Sequence, residues 1–367
     1  MIKKQLNFYL LPLLIVILIY LGFISLALLK YNFDFSRFIG IGDAFVVKEN
    51  LAKNISYFED SYGYDGEFYF RLALNPFTNK VEDYGIILDV PSYRHQRIMY
   101  PILVWIFSLG NIQLVPFMML FINFVALCVI TILGSYFARL LNLSSFWGVL
   151  FTLYPGFLYS LSSSLSEIVQ TCFLLGALIM LKKQKNLFAA VFLSFAVLTR
   201  ETSLVIPLFL LFSKKRKYMF IPVLSYFLFQ FILLYVWGAF SFSSKASAFG
   251  LPFFGLGSFV FNQLTTSHSP KVYFLQLGYF VVFSLSIFWA SKFLETIKYI
   301  KPIFFIYGFL GLCFSSLIWV EDKAFLRALN EFYLLGIIIL LSSKSNLRNY
   351  IFPLTLMVWF ATLMHIV

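Results

Sequence analysis

Near the start of the chain lies the apolar run FYLLPLLIVILIYLGFISLALL, residues 8–29. As a helix this run would be about 33 Å long, enough to cross the roughly 30 Å hydrocarbon layer of a bilayer. Lys3 and Lys4 precede it as they would in a secretory signal, but the run is longer than a typical signal core and lacks a clear small-residue cleavage site. We therefore predict that residues 1–29 form a retained first transmembrane span.

The composition of the whole chain points to the same class of protein. Hydrophobic residues make up 61% and charged residues 12% of the 367 residues, whereas soluble domains carry about 25% charged residues. The three cysteines, Cys128, Cys172 and Cys313, all lie in apolar runs, so neither a disulfide framework nor a thiolate metal site is indicated. The sequence predicts an all-α, polytopic transmembrane helical bundle.

The net charge of +12 is explained by orientation in a membrane and does not require nucleic acid as a partner. Basic residues concentrate in short loops between apolar runs, and these loops hold 15 basic residues and one acid, Glu295. By the positive-inside rule such loops face the cytoplasm, which puts the N-terminus inside and gives about eleven spans. The basic loop residues are Lys3, Lys4, Arg139, Lys182, Lys183, Lys185, Lys214, Lys215, Arg216, Lys217, Lys292, Lys298, Lys301, Lys344 and Arg348.

Residues 30–97 form a polar island in this apolar chain, and we predict a large extracytoplasmic catalytic loop containing short interfacial helices. The island contains YGYDGEFYFR, residues 62–71, and PSYRHQR, residues 91–97. Asp65-Gly66 predicts the start of a helix with Asp65 as its N-cap, and Glu67 and Arg71 would then pair at i, i+4. Asn75-Pro76 ends that helix.

The rest of the chain divides into a membrane module, residues 98–212, and C-terminal membrane helices, residues 213–367, with a second outer loop at 241–272. The apolar segment 98–109 is too short to cross easily, so we predict a re-entrant or half-buried helix. Two half-length helices should meet at a charged tip, residues 199–202, where ionisable groups are costly and usually functional. The other predicted spans are residues 113–135, 146–160, 168–181, 219–240, 273–290, 303–320, 328–341 and 351–366.

This topology places several carboxylates and arginines on the extracytoplasmic side, where they can converge on one site. A carboxylate within reach of a hydroxyl can remove its proton, and the planar guanidinium group of arginine grips phosphate with two parallel hydrogen bonds. Asp65 is the candidate catalytic residue. The candidate substrate-binding or donor-phosphate-binding residues are Tyr64, Glu67, Arg94, His95, Arg97, Glu167, Arg200, Glu201 and Arg327.

Structural roles compete with each of these assignments. Asp65 can act only as a helix cap, Arg94 and Arg97 can be interfacial anchors, and Arg200 and Glu201 can simply neutralise each other. His95 can be a core histidine, Glu167 can stabilise a turn, and Arg327 can lie in a solvated loop. No metal-ligand spacing, phosphate loop or dinucleotide fingerprint is present, so no cofactor is expected, although carboxylates can hold a divalent metal.

The segment YDGEFY, residues 64–69, resembles the first-loop acidic motif of the GT-C superfamily of integral-membrane glycosyltransferases. Together with PSYRHQRIMYP, residues 91–101, and LTRE, residues 198–201, it is similar to prokaryotic multispan proteins linked with cell-surface glycopolymers. The mannosyltransferases of glycolipid-anchor assembly carry a comparable aromatic-Asp-Gly motif with Trp in place of Tyr64. The resemblance covers about the first 210 residues.

The resemblance implies a polyprenyl-phosphate sugar donor, a lipid or glycan acceptor, and Asp65 as the general base, in a bacterial cytoplasmic membrane with the active site on the extracytoplasmic face. A transporter or flippase of lipid-linked sugars is the alternative, but residues 113–181 carry almost no charge at midplane depth, where coupling sites lie. A membrane acyltransferase using His95 would need a nearby aspartate, and no short His-Asp spacing occurs.

Overall fold

The computed structural model describes residues 2–213, 216–243, 248–266, 271–294 and 297–367. Lys214 and Lys215 of one predicted cytoplasmic loop, Glu295, and residues 244–247 and 267–270 of the predicted second outer loop lie outside the described residues.

The described part of the chain is mostly helical, as predicted. Its only β-strands are β1 (Glu82–Asp83) and β2 (Ile86–Ile87), which pair antiparallel with Glu82 opposite Ile87. The α-helices are α1 (Ile2–Lys30), α2 (Gly66–Leu74), α3 (Pro91–His95), α4 (Met99–Ser108), α5 (Val115–Arg139), α6 (Gly156–Ser162), α7 (Glu167–Lys182), α8 (Asn186–Thr199), α9 (Val205–Leu211), α10 (Arg216–Trp237), α11 (Phe254–Thr266), α12 (Lys271–Ala290), α13 (Ile300–Leu312), α14 (Ser316–Val320), α15 (Asp322–Ala328), α16 (Asn330–Ser342) and α17 (Arg348–Ile366). The 3₁₀ helices are Phe35–Phe38, Asp43–Phe45, Ser145–Phe151, Glu201–Leu204, Ser241–Ser243 and Ser291–Phe293.

Within these residues, five helices are long and apolar enough to cross a membrane. They are Phe8–Lys30, Val115–Arg139, Lys217–Trp237, Lys271–Phe293 and Arg348–Ile366. A sixth span results if α15 and α16, which meet at a bend of 53°, are counted as one. A membrane protein built of helices is therefore the supported fold class, whereas the total of eleven spans and the orientation stay predictions.

Several helix limits agree with the sequence-based expectation. The short segment 98–109 forms the ten-residue helix α4, and the half-length helices α8 and α9 are separated by a 3₁₀ turn at Glu201–Leu204. Helix α2 begins at Gly66 and ends before Asn75.

Two predicted continuous spans are wrong, because each is interrupted. The segment 146–160 contains a 3₁₀ helix that ends at Phe151 and then α6, and Pro155 between them lacks the N–H that a continuous helix needs. The segment 303–320 divides into α13 and α14. The predicted outer turn at 321–327 is helix α15, and the predicted loop 241–272 contains helix α11.

The chain forms two compact units, each assembled from separate stretches. The first, here called the loop unit, comprises Ile17–Val129 and Ser160–Ser244. The second, the C-terminal unit, comprises Met1–Val16, Ile130–Tyr159 and Lys245–Val367.

In the loop unit, α8 packs against α7 and α10, and α2 packs against α4. Every residue of α2 is buried, including the charged residues Glu67 and Arg71. In the C-terminal unit, α12 packs against α16 and α17, and the stacked rings of Tyr154 and Tyr333 lie in its core.

Candidate functional site

The Asp65-Gly66 pair is positioned by a close backbone approach. A Cβ atom at Gly66 would lie 2.2 Å from the main-chain oxygens of both Ile39 and Ser163, so only glycine fits there. The start of α2 is thereby held against two distant stretches of the loop unit, and Asp65 directly precedes it. Asp65 occupies the N-cap position of α2 as predicted, but its side chain makes no capping hydrogen bond there.

Asp65 instead faces Arg94, which lies on α3. Nη1 of Arg94 donates to Oδ1 of Asp65 at 2.5 Å, while its Nε and Nη2 both donate to Asp89 at 2.7 Å. The guanidinium group also lies 4.0 Å from the centre of the Phe68 ring. Burial alone would lower the pKa of Arg94, but the carboxylates of Asp89 and Asp65 raise it. Arg94 is therefore a fixed cation.

Arg97, one turn later, approaches the other oxygen of the same carboxylate. Its Nη1 lies 3.7 Å from Oδ2 of Asp65, and its Nε and Nη2 donate to the two oxygens of Glu201 at 2.9 and 2.6 Å. Hydroxyl groups of Tyr69 and Tyr93 accept from the same guanidinium group. Burial would lower the pKa of Arg97, but the charge of Glu201 raises it well above the usual range.

The break between α8 and α9 carries a second buried ion pair beside the first. Nη1 of Arg200 lies 3.1 Å from Oε1 of Glu167, whose side chain is only 1% exposed, and the hydroxyl of Ser160 donates to Oε2 of Glu167. Gln170 donates to Ser203 at 2.8 Å and so ties α7 to the break. Arg200 therefore pairs with Glu167 and Glu201 pairs with Arg97, so each of the two neighbours has a partner elsewhere in the loop unit.

These side chains enclose a small cleft. It is lined by Asp65, Tyr69, Tyr93, Arg94 and Arg97, and in this structure it is too narrow to hold a water molecule. The side chain of Asp65 is 21% exposed. A carboxylate that is partly accessible can accept a proton, and the two arginines that hold it can bind an anion.

Tyr64 and Glu67 connect the start of α2 to the segment at Gly40 and Gly42. The main-chain N–H of Tyr64 donates to Gly40, and Oε2 of Glu67 accepts from the main-chain N–H of Gly42 at 3.1 Å. Glu67 is fully buried, and burial raises the pKa of its carboxyl group to about 8. Its predicted pairing with Arg71 is wrong, because Arg71 donates to the main-chain oxygen of Lys80 instead.

His95 has both ring nitrogens occupied. Nδ1 accepts from the indole N–H of Trp237 and Nε2 lies 2.9 Å from the main-chain oxygen of Pro76, both at hydrogen-bonding distance. Burial lowers the pKa of His95 to about 4, so the ring is neutral at physiological pH. This geometry favours the structural role over a role in catalysis.

Arg327 belongs to the C-terminal unit, on α15, where its side chain is buried. Its predicted role in substrate binding stays a prediction.

Sequence reasoning missed three residues of the cleft region, namely Asp89, Tyr69 and Tyr93. Asp89 is the main partner of Arg94, and an available signal was its position just before Pro91, which starts α3. Tyr69 and Tyr93 lie in the segments YDGEFY and PSYRHQRIMYP, but nothing distinguished them from the other aromatic residues of a chain with 22 tyrosines and 48 phenylalanines.

Among the described residues, no three His, Cys, Asp or Glu side chains are grouped to hold a metal ion. Comparison of the chain with protein-family models, with curated proteins and with solved structures gives no match.

Proposed function

We propose that the chain is a membrane glycosyltransferase that moves a sugar from a polyprenyl-phosphate-linked donor to an acceptor hydroxyl of a lipid or glycan. The observation that carries this proposal is the position of Asp65, which is partly exposed and flanked by the guanidinium groups of Arg94 and Arg97. Together with the resemblance of YDGEFY to the GT-C first-loop motif, this arrangement supports a base next to a phosphate site.

In this mechanism each group has one task. Asp65 removes the proton of the acceptor hydroxyl as that oxygen attacks the sugar. Arg94 and Arg97 stabilise the negative charge that develops on the departing phosphate, and they are already oriented by other carboxylates before the reaction starts. Arg200, which is paired with Glu167, supports the fold of the neighbouring helix break in this proposal.

The orientation belongs to the same proposal. We propose that the cleft lies on the extracytoplasmic side, with the N-terminus inside and about eleven spans, and the basic short loops support this orientation by the positive-inside rule. A cysteine introduced at the exposed residue Asn54, in a background without the native cysteines, should react with a membrane-impermeant maleimide in intact cells. One introduced at Asn346, between α16 and α17, should react only after the membrane is opened.

The catalytic proposal is tested by two matched carboxylates of the same loop. Asp43 accepts main-chain hydrogen bonds from Asp60 and Ser61 and is not part of the cleft. Asp65→Asn should lower the rate of sugar transfer in membranes about 100-fold or more, whereas Asp43→Asn should keep most of it. Equal activity of the two variants refutes the assignment.

The same assay separates the alternative function. A flippase moves the labelled lipid across the bilayer of a liposome without forming a new glycosidic bond, so product analysis distinguishes the two activities.

A further inference from the structure

Asp65 lies where two cations converge. The side edges of Arg94 and Arg97, each formed by Nε and Nη2, are fully used by Asp89 and Glu201 respectively. In each guanidinium group the nitrogen directed at Asp65 is Nη1, at 2.5 Å from Oδ1 and 3.7 Å from Oδ2. We call these two Nη1 groups the oxyanion seat.

The seat holds a small anion between two positive charges. Nη1 of Arg94 donates a hydrogen bond to one oxygen of Asp65, and Nη1 of Arg97 lies at ion-pairing distance from the other oxygen. The seat therefore offers two cationic contacts to one small anion, and arginine binds both carboxylate and phosphate. In the present state the anion in the seat is the carboxylate of Asp65 itself.

The charge balance makes it difficult to bind a second anion. Three carboxylates, Asp65, Asp89 and Glu201, contact two guanidinium groups. A phosphate group entering this cluster would meet a surplus of negative charge, and in a poorly hydrated site like charges are strongly unfavourable. The conflict disappears when Asp65 is neutral.

We infer that the ionised carboxylate of Asp65 occupies the oxyanion seat until it takes up a proton. After this proton transfer, the Nη1 groups of Arg94 and Arg97 bind the leaving phosphate instead. The inference rests on the proposed function. It gives Arg94 and Arg97 two successive partners, and it makes Asp89 and Glu201 positioning residues that keep the two side chains in place during the exchange.

The step balances in atoms and charge. The proton of the acceptor hydroxyl moves to a carboxylate oxygen of Asp65, and the acceptor oxygen forms a bond to the anomeric carbon of the sugar. The bond between that carbon and the phosphate oxygen breaks, and its electron pair leaves with the phosphate. Asp65 loses one negative charge as the lipid phosphate gains one, so the total charge around the seat is unchanged.

A binding experiment tests this without any transfer assay. Inorganic phosphate is titrated into the purified full-length protein in detergent, and its binding is followed by phosphorus NMR line broadening. Asp65→Asn removes the charge that competes for the seat and keeps the size of the side chain, so phosphate should bind about tenfold more tightly than to the unmodified protein.

Asp89→Asn is the matched control, because it removes one negative charge from the same cluster but leaves Asp65 in the seat. It should bind phosphate no more tightly than the unmodified protein, since Arg94 loses its main anchor. The inference is overturned if Asp65→Asn fails to tighten binding, or if Asp89→Asn tightens it equally, which would mean that only net charge matters.

Asp65→Ser serves as a second neutral variant if Asp65→Asn does not give folded protein, and the same outcomes apply. The experiment also separates this inference from the proposed function. If Asp65→Asn binds phosphate more tightly but the unmodified protein transfers no sugar, the inference about the seat stands and the proposed function is refuted. If the unmodified protein transfers sugar but Asp65→Asn does not bind phosphate more tightly, the proposed function stands and the inference is refuted.

Discussion

Two of the breaks between apolar helices in this protein are built in opposite ways. In the loop unit the break between α8 and α9 carries Arg200 and Glu201. In the C-terminal unit the break between α13 and α14 falls at residues 313–315, which carry no charge.

Main-chain hydrogen bonds tie the uncharged break to residues 248–253. The N–H groups of Gly250 and Phe253 donate to Cys313 and Leu312 at 2.7 and 2.8 Å, and the N–H of Ser315 donates to Ala248 at 2.9 Å. Irregular backbone within a membrane protein is tolerated where the protein supplies such partners. This break therefore shows that a helix can be interrupted here without any buried ion.

The break between α8 and α9 contains ion pairs, although the other break shows that interrupting a helix does not require them. Burying a charge costs desolvation energy, and an ion pair offsets this cost only when its geometry is good. Glu201 meets Arg97 with two hydrogen bonds, and Arg97 in turn reaches Asp65. The contrast supports the proposal that these charges serve chemistry at the cleft. Changing matched residues of the two breaks tests it.

The largest effect is expected from Glu201→Gln. The substitution leaves the buried guanidinium group of Arg97 without its main counter-charge, and breaking a buried pair in this way costs about 3–5 kcal/mol. Unfolding of the purified protein in detergent measures the loss. Combining the change with Arg97→Gln should cost less than the sum of the two single changes, because the two residues share one interaction.

Ser315→Ala is the matched change at the uncharged break. The side-chain oxygen of Ser315 has no hydrogen-bond partner among the described residues, so its removal should alter the free energy of unfolding by less than about 0.5 kcal/mol. Similar losses in Glu201→Gln and Ser315→Ala would contradict the proposed difference between the breaks.

A pair of glycines gives the next largest effect. A Cβ atom would lie 2.2 Å from a main-chain oxygen at both Gly66 and Gly255, the latter against Phe314. Overpacking of this kind costs about 1–3 kcal/mol, so Gly66→Ala and Gly255→Ala should destabilise the protein to a similar extent. Transfer activity measured at equal amounts of folded protein should fall only in Gly66→Ala, because Asp65 precedes that glycine. Equal loss of activity in both would show that the cleft responds to any loss of stability.

The sequence predicts those parts of the structure that have a local cause. The start of α2 follows from Asp65-Gly66 and its end from Asn75-Pro76, and the division of α8 from α9 follows from the charges at 199–202. Each of these signals acts on the residues next to it.

Features that depend on distant residues could not be predicted in the same way. The partner of Arg97 lies 104 residues away at Glu201, and charge alone allowed Arg200 as an equally good partner for Glu201. The interruption of 303–320 has no proline at its centre that would have signalled it in the sequence. It is stabilised by hydrogen bonds to residues 248–253, which are distant in the sequence. The sequence therefore named most of the charged residues of the cleft but not how they pair.

The smallest expected effect concerns pH, and it involves two buried groups of the first loop. The pKa of Glu67 is raised to about 8 in the folded protein, so its contribution to stability is present below the pKa of the unfolded chain, about 4.3, and is lost as the pH rises toward 8. The pKa of His95 is lowered to about 4. Its contribution is present above the unfolded pKa of about 6.5 and is lost as the pH falls toward 4.

These two slopes oppose each other between pH 6.5 and 5.5, where each amounts to about 1 kcal/mol. The free energy of unfolding of the unmodified protein should therefore change little over this range. In His95→Gln only the Glu67 slope remains, so stability should rise as the pH falls, and in Glu67→Gln it should fall. Ser315→Ala, at the uncharged break, should follow the unmodified protein at both pH values. Slopes of the same sign in the His95 and Glu67 variants would show that burial does not set the charge of these groups, and the contrast between the charged loop and the uncharged break would then rest on the ion pairs alone.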